Sequence, residues 1–225
     1  MWMTLVSLLL LAGTADEEQW LVEQIASTCV GKAELARQAA QALAARQLDA
    51  ALEKYTSLSR CAPAVPIVQR RMGLVFFEKG DFRKAEEHYR KALALEVTTT
   101  NQLALLQALV RQERTLDAPR RAEMQRLYDE LMRSGGERVD IWSNLTYVAF
   151  HLDDIPSTRR AAQRAIALGA TTWHPYFYGG MAEAVGESPN PTRALSLLER
   201  AEQLGGPKKH IASFRERLLE AQRPH

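Results

Sequence analysis

Residues 69–92 read QRRMGLVFFEKGDFRKAEEHYRKA, and this stretch decides the fold. A turn at Gly80-Asp81 separates two runs whose apolar residues recur every three to four positions, which is the spacing of one helix face. In the first run, Gly73 leaves room for a second helix to approach closely. In the second run, Ala85 and Tyr89 begin a stripe of small and aromatic residues on one face. The stretch therefore predicts a helix, a short turn and a second helix packed against the first.

The second half of this pattern occurs earlier in the chain at a fixed distance. Tyr55 stands 34 residues before Tyr89, and Ala51 stands 34 residues before Ala85. A period of this length is typical of helix–turn–helix repeats that stack into a solenoid. Pro63 follows the earlier copy at the point where its second helix must stop.

Three further copies follow with decreasing regularity. One runs from Trp142 to Gly169 around a turn at Asp153-Asp154, with a second helix that opens near Pro156. Another runs from Tyr178 to Gly206, places Ala182 where the second copy has Gly73, and has a lengthened turn. Between them, Thr100 to Arg133 has two helical patterns joined by a stretched hairpin, so this copy is degenerate.

These residues resemble tetratricopeptide repeats from Lys32 to Gly206. The resemblance implies an all-α fold, a right-handed superhelix of about five helix–turn–helix repeats. Amphipathic segments on either side are expected to cap the solenoid, because end repeats otherwise leave an apolar face bare. The predicted segments are an N-terminal capping helix at 16–31, repeats at 32–65, 66–99, 100–138, 139–172 and 175–206, and a C-terminal capping helix at 207–225.

The N-terminus carries an apolar run, MTLVSLLLLA at residues 3–12, followed by the small residues Gly13-Thr14-Ala15. This pattern predicts a signal peptide at 1–15 that is removed near Ala15. The run is shorter than the roughly 20 apolar residues that span a bilayer, so no stable membrane anchor is expected in the mature chain. Because no Lys or Arg precedes the run, an apolar tail or a helix packed on the end of the solenoid is the alternative. The signal predicts a periplasmic or secreted protein of exported bacterial type.

The chain has two cysteines, Cys29 and Cys61. The repeat places Cys29 just before the first helix of repeat one and Cys61 at the end of its second helix. Those two helix ends are neighbours in an antiparallel hairpin, and disulfides persist in exported proteins. We therefore expect a disulfide, with two buried thiols as the alternative.

The sequence offers no pattern for catalysis or for nucleic-acid binding. Its 29 basic and 27 acidic residues give a net charge of +2, and they form no basic stripe, so nucleic acid is not expected as a partner. Its five histidines show no metal-ligand spacing, and its glycines form no phosphate-binding loop. Asp153-Asp154 lies at a predicted turn, where acids cap the following helix. We therefore expect a non-enzymatic protein without metal or cofactor.

The resemblance also implies where a partner would bind. In this family the groove-facing side chains lie on the first helix of each repeat, at its second, fifth, ninth, twelfth and thirteenth positions. Repeat one has almost only alanine there. The candidate residues of the partner-binding groove are Ile67, Arg70, Leu74, Phe77, Arg111, Tyr147, Phe150, His151 and Tyr176.

These side chains combine aromatic anchors with a few charged groups, a mixture used in peptide recognition. The alternative is that some of the aromatic residues pack between repeats. We expect a scaffold or adaptor of the bacterial envelope that holds a partner segment in the groove. A recognition or carrier subunit of an envelope enzyme or secretion system, including one that binds cell-wall glycan, is the second hypothesis. The sequence does not indicate the oligomeric state.

Overall fold

The computed structural model describes residues 15–185 and 188–221, and the regular elements in this part of the chain are helices. The predicted signal peptide lies outside the described residues, apart from Ala15. Among the residues described, no helix is both long and apolar enough to cross a membrane. The α-helices are α1 (Ala15–Thr28), α2 (Ala33–Ala44), α3 (Leu48–Cys61), α4 (Pro66–Glu78), α5 (Phe82–Leu95), α6 (Thr99–Val110), α7 (Ala118–Ser134), α8 (Val139–His151), α9 (Ile155–Ala167), α10 (His174–Ala184), α11 (Pro191–Gln203) and α12 (Lys208–Ala221).

The chain divides into two compact units, which we call the N-terminal module (Met1–Leu127) and the C-terminal module (Tyr128–His225). In the N-terminal module, α2 pairs with α3 and α4 pairs with α5, while α1 packs on α2. In the C-terminal module, α8 pairs with α9 and α10 pairs with α11, while α12 packs on α11. The first helices α8 and α10 also contact each other. This succession of helix pairs is the all-α repeat architecture that the sequence predicts.

The hairpin turns of repeats one, two and four share one backbone geometry. Each contains a residue with a left-handed conformation, namely Arg46 (φ 57°), Gly80 (φ 80°) and Asp153 (φ 56°). The next residue donates its N–H to a carbonyl five residues back, as Asp81 does to Phe76 at 2.9 Å. This bond satisfies a carbonyl that the end of the first helix would otherwise leave without a partner. The three turns are therefore equivalent, although only one of them has glycine.

The second helices α5 and α9 begin with an acidic cap. The Asp81 carboxylate accepts from the backbone N–H of Lys84, and the Asp154 carboxylate accepts from that of Ser157, both at 3.1 Å. Asp154 also accepts a hydrogen bond from the hydroxyl of Tyr128 at 3.1 Å. Asp153-Asp154 is thus a capping turn, as its position predicts.

In repeats two and five, close contact between the paired helices depends on a glycine of the first helix. A Cβ on Gly73 would lie 2.5 Å from the Tyr89 ring and 3.2 Å from the Ala85 carbonyl oxygen. In the last repeat, a Cβ on Gly180 would lie 3.1 Å from Leu198 and 3.2 Å from the Ala194 carbonyl oxygen. Gly180 is therefore the counterpart of Gly73.

This equivalence corrects the predicted alignment of repeat five. The sequence pattern places Ala182 at the glycine position and starts the repeat at residue 175, whereas Gly180 sets its start at residue 173. The error arose because the turn between Ala184 and Pro191 is longer than the turns of repeats one, two and four. The number of residues between the first helix and Ala194 therefore no longer indicated which small residue of the first helix contacts the second helix. Gly180 and Ala182 are both small, so either one fitted the pattern.

Repeat three has the longer connection that its spacing predicts. A 3₁₀ turn at Glu113–Thr115 lies between α6 and α7. The buried carboxylate of Glu86 on α5 accepts from the Gln112 amide at 2.7 Å, forms an ion pair with Arg90, and lies 3.4 Å from the guanidinium of Arg120. This charged cluster ties the connection and the start of α7 to α5.

The predicted disulfide is present in the structure. Cys29 follows the last residue of α1, and Cys61 is the last residue of α3. The two sulfur atoms are bonded, and the Cα atoms lie 6.0 Å apart. Helix α1 is therefore covalently attached to repeat one.

Candidate binding surfaces

The predicted groove residues of α4 are mostly buried within the N-terminal module. Ile67 and Leu74 are almost inaccessible, and Phe77 is only 8% exposed. The Phe77 ring meets the Phe82 ring edge-on at a centroid distance of 5.1 Å. The Arg111 guanidinium lies over the other ring of this pair, 4.6 Å from the centroid of Phe82. Phe77 and Arg111 are thus brought together, as expected of groove residues, but they pack against the chain itself.

Arg70 is also engaged inside the chain. Arg70 is 6% exposed, and its guanidinium forms an ion pair with the carboxylate of Glu17 on α1. The same carboxylate lies 3.1 Å from the guanidinium of Arg71, which is 3% exposed. Burial lowers the pKa of Arg70, and the charge of Glu17 opposes that effect. Two adjacent buried arginines therefore share one acidic residue from outside the repeats.

A small recess lies beside this ion pair. Its walls include Ala40, Leu43 and Ala44, which are groove positions of repeat one, and Leu74 and Glu78, which are groove positions of repeat two. Glu18 of α1 also lines it. Helix α1 therefore lies over the groove-facing side of repeats one and two.

The C-terminal module presents a continuous aromatic cluster on α8 and α10. The Tyr178 ring lies 5.5 Å from that of Tyr147, 5.2 Å from that of Phe150 and 5.2 Å from that of Phe177, measured between centroids. The His151 ring lies 4.2 Å from that of Tyr147. Tyr147 and Tyr178 are buried, while Phe150 is half-buried and His151 is exposed. Phe150 and His151 thus form the accessible edge of a packed aromatic base, which we call the aromatic face.

Tyr176 does not belong to this face. Its hydroxyl donates to the carbonyl of Ala170 at 3.1 Å, as the Trp142 indole N–H donates to the carbonyl of Gly136 at 3.0 Å. Each bond spans six residues, so Tyr176 takes the position in repeat five that Trp142 takes in repeat four. With the corrected alignment the groove positions of repeat five are His174, Phe177, Met181, Ala184 and Val185.

Sequence reasoning therefore did not assign Phe177 or Tyr178 to the binding surface, although Tyr178 was identified as the start of the repeat-five pattern and both lie at the centre of the cluster. The Gly179-Gly180 pair was the signal that could have found them. A Cβ on Gly179 would lie 2.7 Å from the Ala162 Cβ of repeat four. Consecutive glycines in a first helix thus mark the point where α10 approaches two second helices.

His174 is fully buried at the start of α10. Its ring stacks on Trp173 at a centroid distance of 3.8 Å, and neither ring nitrogen has a hydrogen-bond partner among the described residues. Burial lowers the pKa of His174 to about 4. Glu183, a second buried ionisable group of α10, is paired internally, with its carboxylate 3.1 Å from Arg193 and 3.8 Å from Arg159.

Within residues 15–185 and 188–221, no three His, Cys, Asp or Glu side chains lie close enough together to hold a metal ion.

The succession of helix pairs matches solved structures. TTC0263, a tetratricopeptide-repeat protein from Thermus thermophilus, superposes with a TM-score of 0.67 and 16% identity, over 84% of this chain and 99% of that one. The chain has the tetratricopeptide-repeat fold. A tetratricopeptide-repeat protein from Parabacteroides merdae gives a TM-score of 0.66 at 14% identity, over 91% of this chain and 78% of that one.

A third structure with this fold is that of YrrB, described as a tetratricopeptide-repeat protein with an unusual peptide-binding site. It superposes with a TM-score of 0.54 at 14% identity, over 80% of this chain and 88% of that one. No protein-family model and no curated protein matches the sequence. The resemblance stated from the sequence is thus confirmed at the level of the fold.

Proposed function

We propose that this protein is a non-enzymatic interaction scaffold that binds an apolar segment of a partner protein on the aromatic face of the C-terminal module. The observation that carries the proposal is the edge formed by Phe150 and His151 on a base of packed rings. Both residues occupy groove positions of the tetratricopeptide-repeat fold. The peptide-binding site of YrrB supports a peptide as the ligand class for this fold.

The packing of the aromatic face suits recognition. The Phe150 ring rests on Tyr178, so it loses little side-chain freedom when a ligand covers it. Aromatic residues with a rigid support often carry much of the binding energy of an interface. Met181 is half-buried at the next groove position, and its flexible side chain can adapt to the shape of the ligand. These properties favour an apolar or aromatic side chain of the partner as the central contact.

Two features support a role in the bacterial envelope. The apolar run at residues 3–12 has the pattern of an export signal, and a disulfide is stable in an oxidising compartment. A periplasmic or secreted scaffold accounts for both. A mature N-terminus near residue 16 in protein recovered from the periplasm would support this location, whereas an intact N-terminus in the cytoplasm would contradict it.

The binding proposal is tested with Phe150→Gln, which removes the accessible ring. Phe77 is less suitable for this purpose because it is buried against Phe82, and its loss would destabilise the module. The matched control is Leu219→Gln, which makes an exposed apolar residue of the same module polar outside the aromatic face. A photoreactive amino acid at position 151 identifies partners that touch this face in envelope extracts.

We expect Phe150→Gln to reduce crosslinking and capture at least tenfold, and Leu219→Gln to leave both unchanged, with equal thermal stability of the two variants. Equal capture by Phe150→Gln and the wild type would exclude the aromatic face. Retention on purified cell-wall glycan that Phe150→Gln abolishes would instead favour the recognition or carrier subunit.

A further inference from the structure

Helix α1 lies outside the repeats, yet it supplies the acid that two buried arginines of repeat two share. Glu17 contacts both Arg70 and Arg71. Guanidinium groups are costly to bury without a counter-charge, so removing Glu17 would take away the anion that they have in common. This surface of the N-terminal module is therefore suited to a carboxylate.

The rest of α1 shows what else the surface accommodates. Asp16, Glu17 and Glu18 form an acidic first turn, and Leu21 and Ile25 follow at helical spacing with both side chains fully buried. The apolar recess walled by Leu43 and Leu74 continues beside Glu18. The complementary ligand is a helix with an acidic N-terminal turn and one apolar stripe.

Repeat one has the shape that such a ligand needs. Its groove positions carry alanine except for Leu43, and these small side chains let another helix approach closely. The small side chains of repeat one therefore leave room for a helix to lie against α2.

Helix α1 is joined to repeat one by an exposed turn and by a disulfide. The turn from Cys29 to Lys32 contains Val30, which is 95% exposed, and Gly31, which has a φ of 75° and open space where a Cβ would lie. Cys29 is buried and bonded to Cys61, but residues 30–32 are exposed, so this part of the turn can serve as a pivot. The Cys29–Cys61 bond adds a covalent restraint at the same end of α1. An isolated helix of 14 residues is only marginally stable, so α1 depends on these contacts to remain in place.

We propose that the groove side of repeats one and two is a binding surface for an acidic amphipathic helix of a partner protein, and that α1 is its built-in, exchangeable occupant, restrained by the Cys29–Cys61 disulfide. The surface lies in the N-terminal module and is independent of the aromatic face. A partner helix binds there only when α1 has moved away about the turn at residues 29–32.

The probe for this surface is a fluorescent peptide with the sequence of residues 15–28, ADEEQWLVEQIAST. The protein is expressed from the full-length sequence in an exporting bacterial host and purified in its oxidised form. Two independent changes weaken the internal occupant. Dithiothreitol converts the disulfide to two thiols and becomes a cyclic disulfide itself, whereas Glu17→Gln removes the shared carboxylate while the disulfide remains.

We expect the reduced protein and the oxidised Glu17→Gln variant each to bind the peptide at least tenfold more tightly than the oxidised wild type, measured by fluorescence anisotropy. A Glu17→Gln peptide should bind at least tenfold more weakly than the natural one. A Glu23→Gln peptide loses the same charge at an exposed position and should bind like the natural peptide.

Hydrogen exchange provides the second measurement. Reduction should accelerate exchange of the α1 amides at least tenfold, while the amides of α4 stay protected. The proposal is wrong if neither weakened protein binds the peptide, if the Glu17→Gln and natural peptides bind equally, or if α1 remains as protected as α2 after reduction. No peptide binding, or full protection of α1 after reduction, would make α1 a permanent cap, whereas equal binding of the two peptides would show that the arginines do not select the carboxylate. None of these results would affect the aromatic face.

Discussion

The groove positions of repeats two and four differ in what covers them. In repeat two, Arg70 is buried against Glu17 of α1, and a recess remains between α1 and the repeats. In repeat four, Phe150 and His151 reach the surface over a base of aromatic rings. One backbone design thus supports a groove that the chain fills itself and a groove edge that it leaves accessible.

The size of the groove side chains explains this difference. Alanines in α2 leave space for an entire helix, and the two arginines of α4 provide a site for its acidic turn. On α8, Tyr147 and Phe150 occupy the corresponding space with their own rings, which pack on Tyr178. Small residues therefore favour a helix as the occupant, whereas aromatic residues favour a side chain or an extended segment.

The largest expected effect concerns the disulfide, which should stabilise only the module that contains α1. Replacing Cys29 and Cys61 by serine releases a loop with a sequence separation of 32 residues. The chain-entropy model gives a loss of roughly 3 to 4 kcal/mol in the free energy of unfolding. This loss is measured by hydrogen exchange at increasing urea concentrations, with the amides of the two modules analysed separately. An equal loss in both modules would show that they unfold as one.

The disulfide stabilises the N-terminal module, whereas acid should destabilise the C-terminal module. Burial holds the pKa of His174 at about 4, below its ordinary value of 6.5. Between these values the unfolded chain binds a proton that the folded chain does not, so stability falls as the pH decreases. We expect the free energy of unfolding of this module to decrease by about 3 kcal/mol between pH 6.5 and pH 4.

The control for this effect is His174→Leu, which should remove most of the pH dependence from urea unfolding of the C-terminal module. His88 provides the comparison in the N-terminal module. Burial lowers its pKa, as does the charge of Lys91, and Glu87 opposes them. His88 is more accessible than His174, so we expect a smaller loss there. A pH response of His174→Leu like that of the wild type would show that other groups control acid unfolding.

The smallest expected effect concerns the hairpin turns. Asp153 and Gly80 occupy equivalent left-handed positions, which favour glycine. Asp153→Gly should stabilise the C-terminal module by about 0.5 to 1 kcal/mol, and Gly80→Asp should destabilise the N-terminal module by a similar amount. Urea midpoints measure both changes. A loss of stability in Asp153→Gly would mean that the exposed carboxylate contributes more than the backbone strain costs.

The sequence alone predicted the structure correctly wherever a residue pattern repeats at a fixed distance along the chain. The spacing of Tyr55 and Tyr89 predicted the helix pairs of repeats one and two, and the turn before α9 predicted Asp154 as its cap. The disulfide followed because the hairpin of repeat one brings Cys29 and Cys61 together. These features depend on local periodicity and chain direction, both of which can be read from one sequence.

The features that were not predicted depend on contacts between segments that are not related by the repeat spacing. The extra residues after α10 shifted repeat five, so Tyr176 was assigned to the groove in place of Phe177. The burial of Arg70 could not be predicted, because its partner Glu17 lies in a helix outside the repeats. Repeat position indicates which way a side chain faces. It does not indicate whether another part of the chain already covers it.

The Cys29–Cys61 bond also determines how the protein would respond to tension. A force applied to α1 and to a point beyond residue 61 passes through the two sulfur atoms, so helices α2 and α3 carry no load. The 32-residue separation would withhold about 110 Å of extended chain from the measured extension. If α1 is pulled while the disulfide is intact, the next helix along the chain to bear that force is α4, which holds the arginines that bind α1.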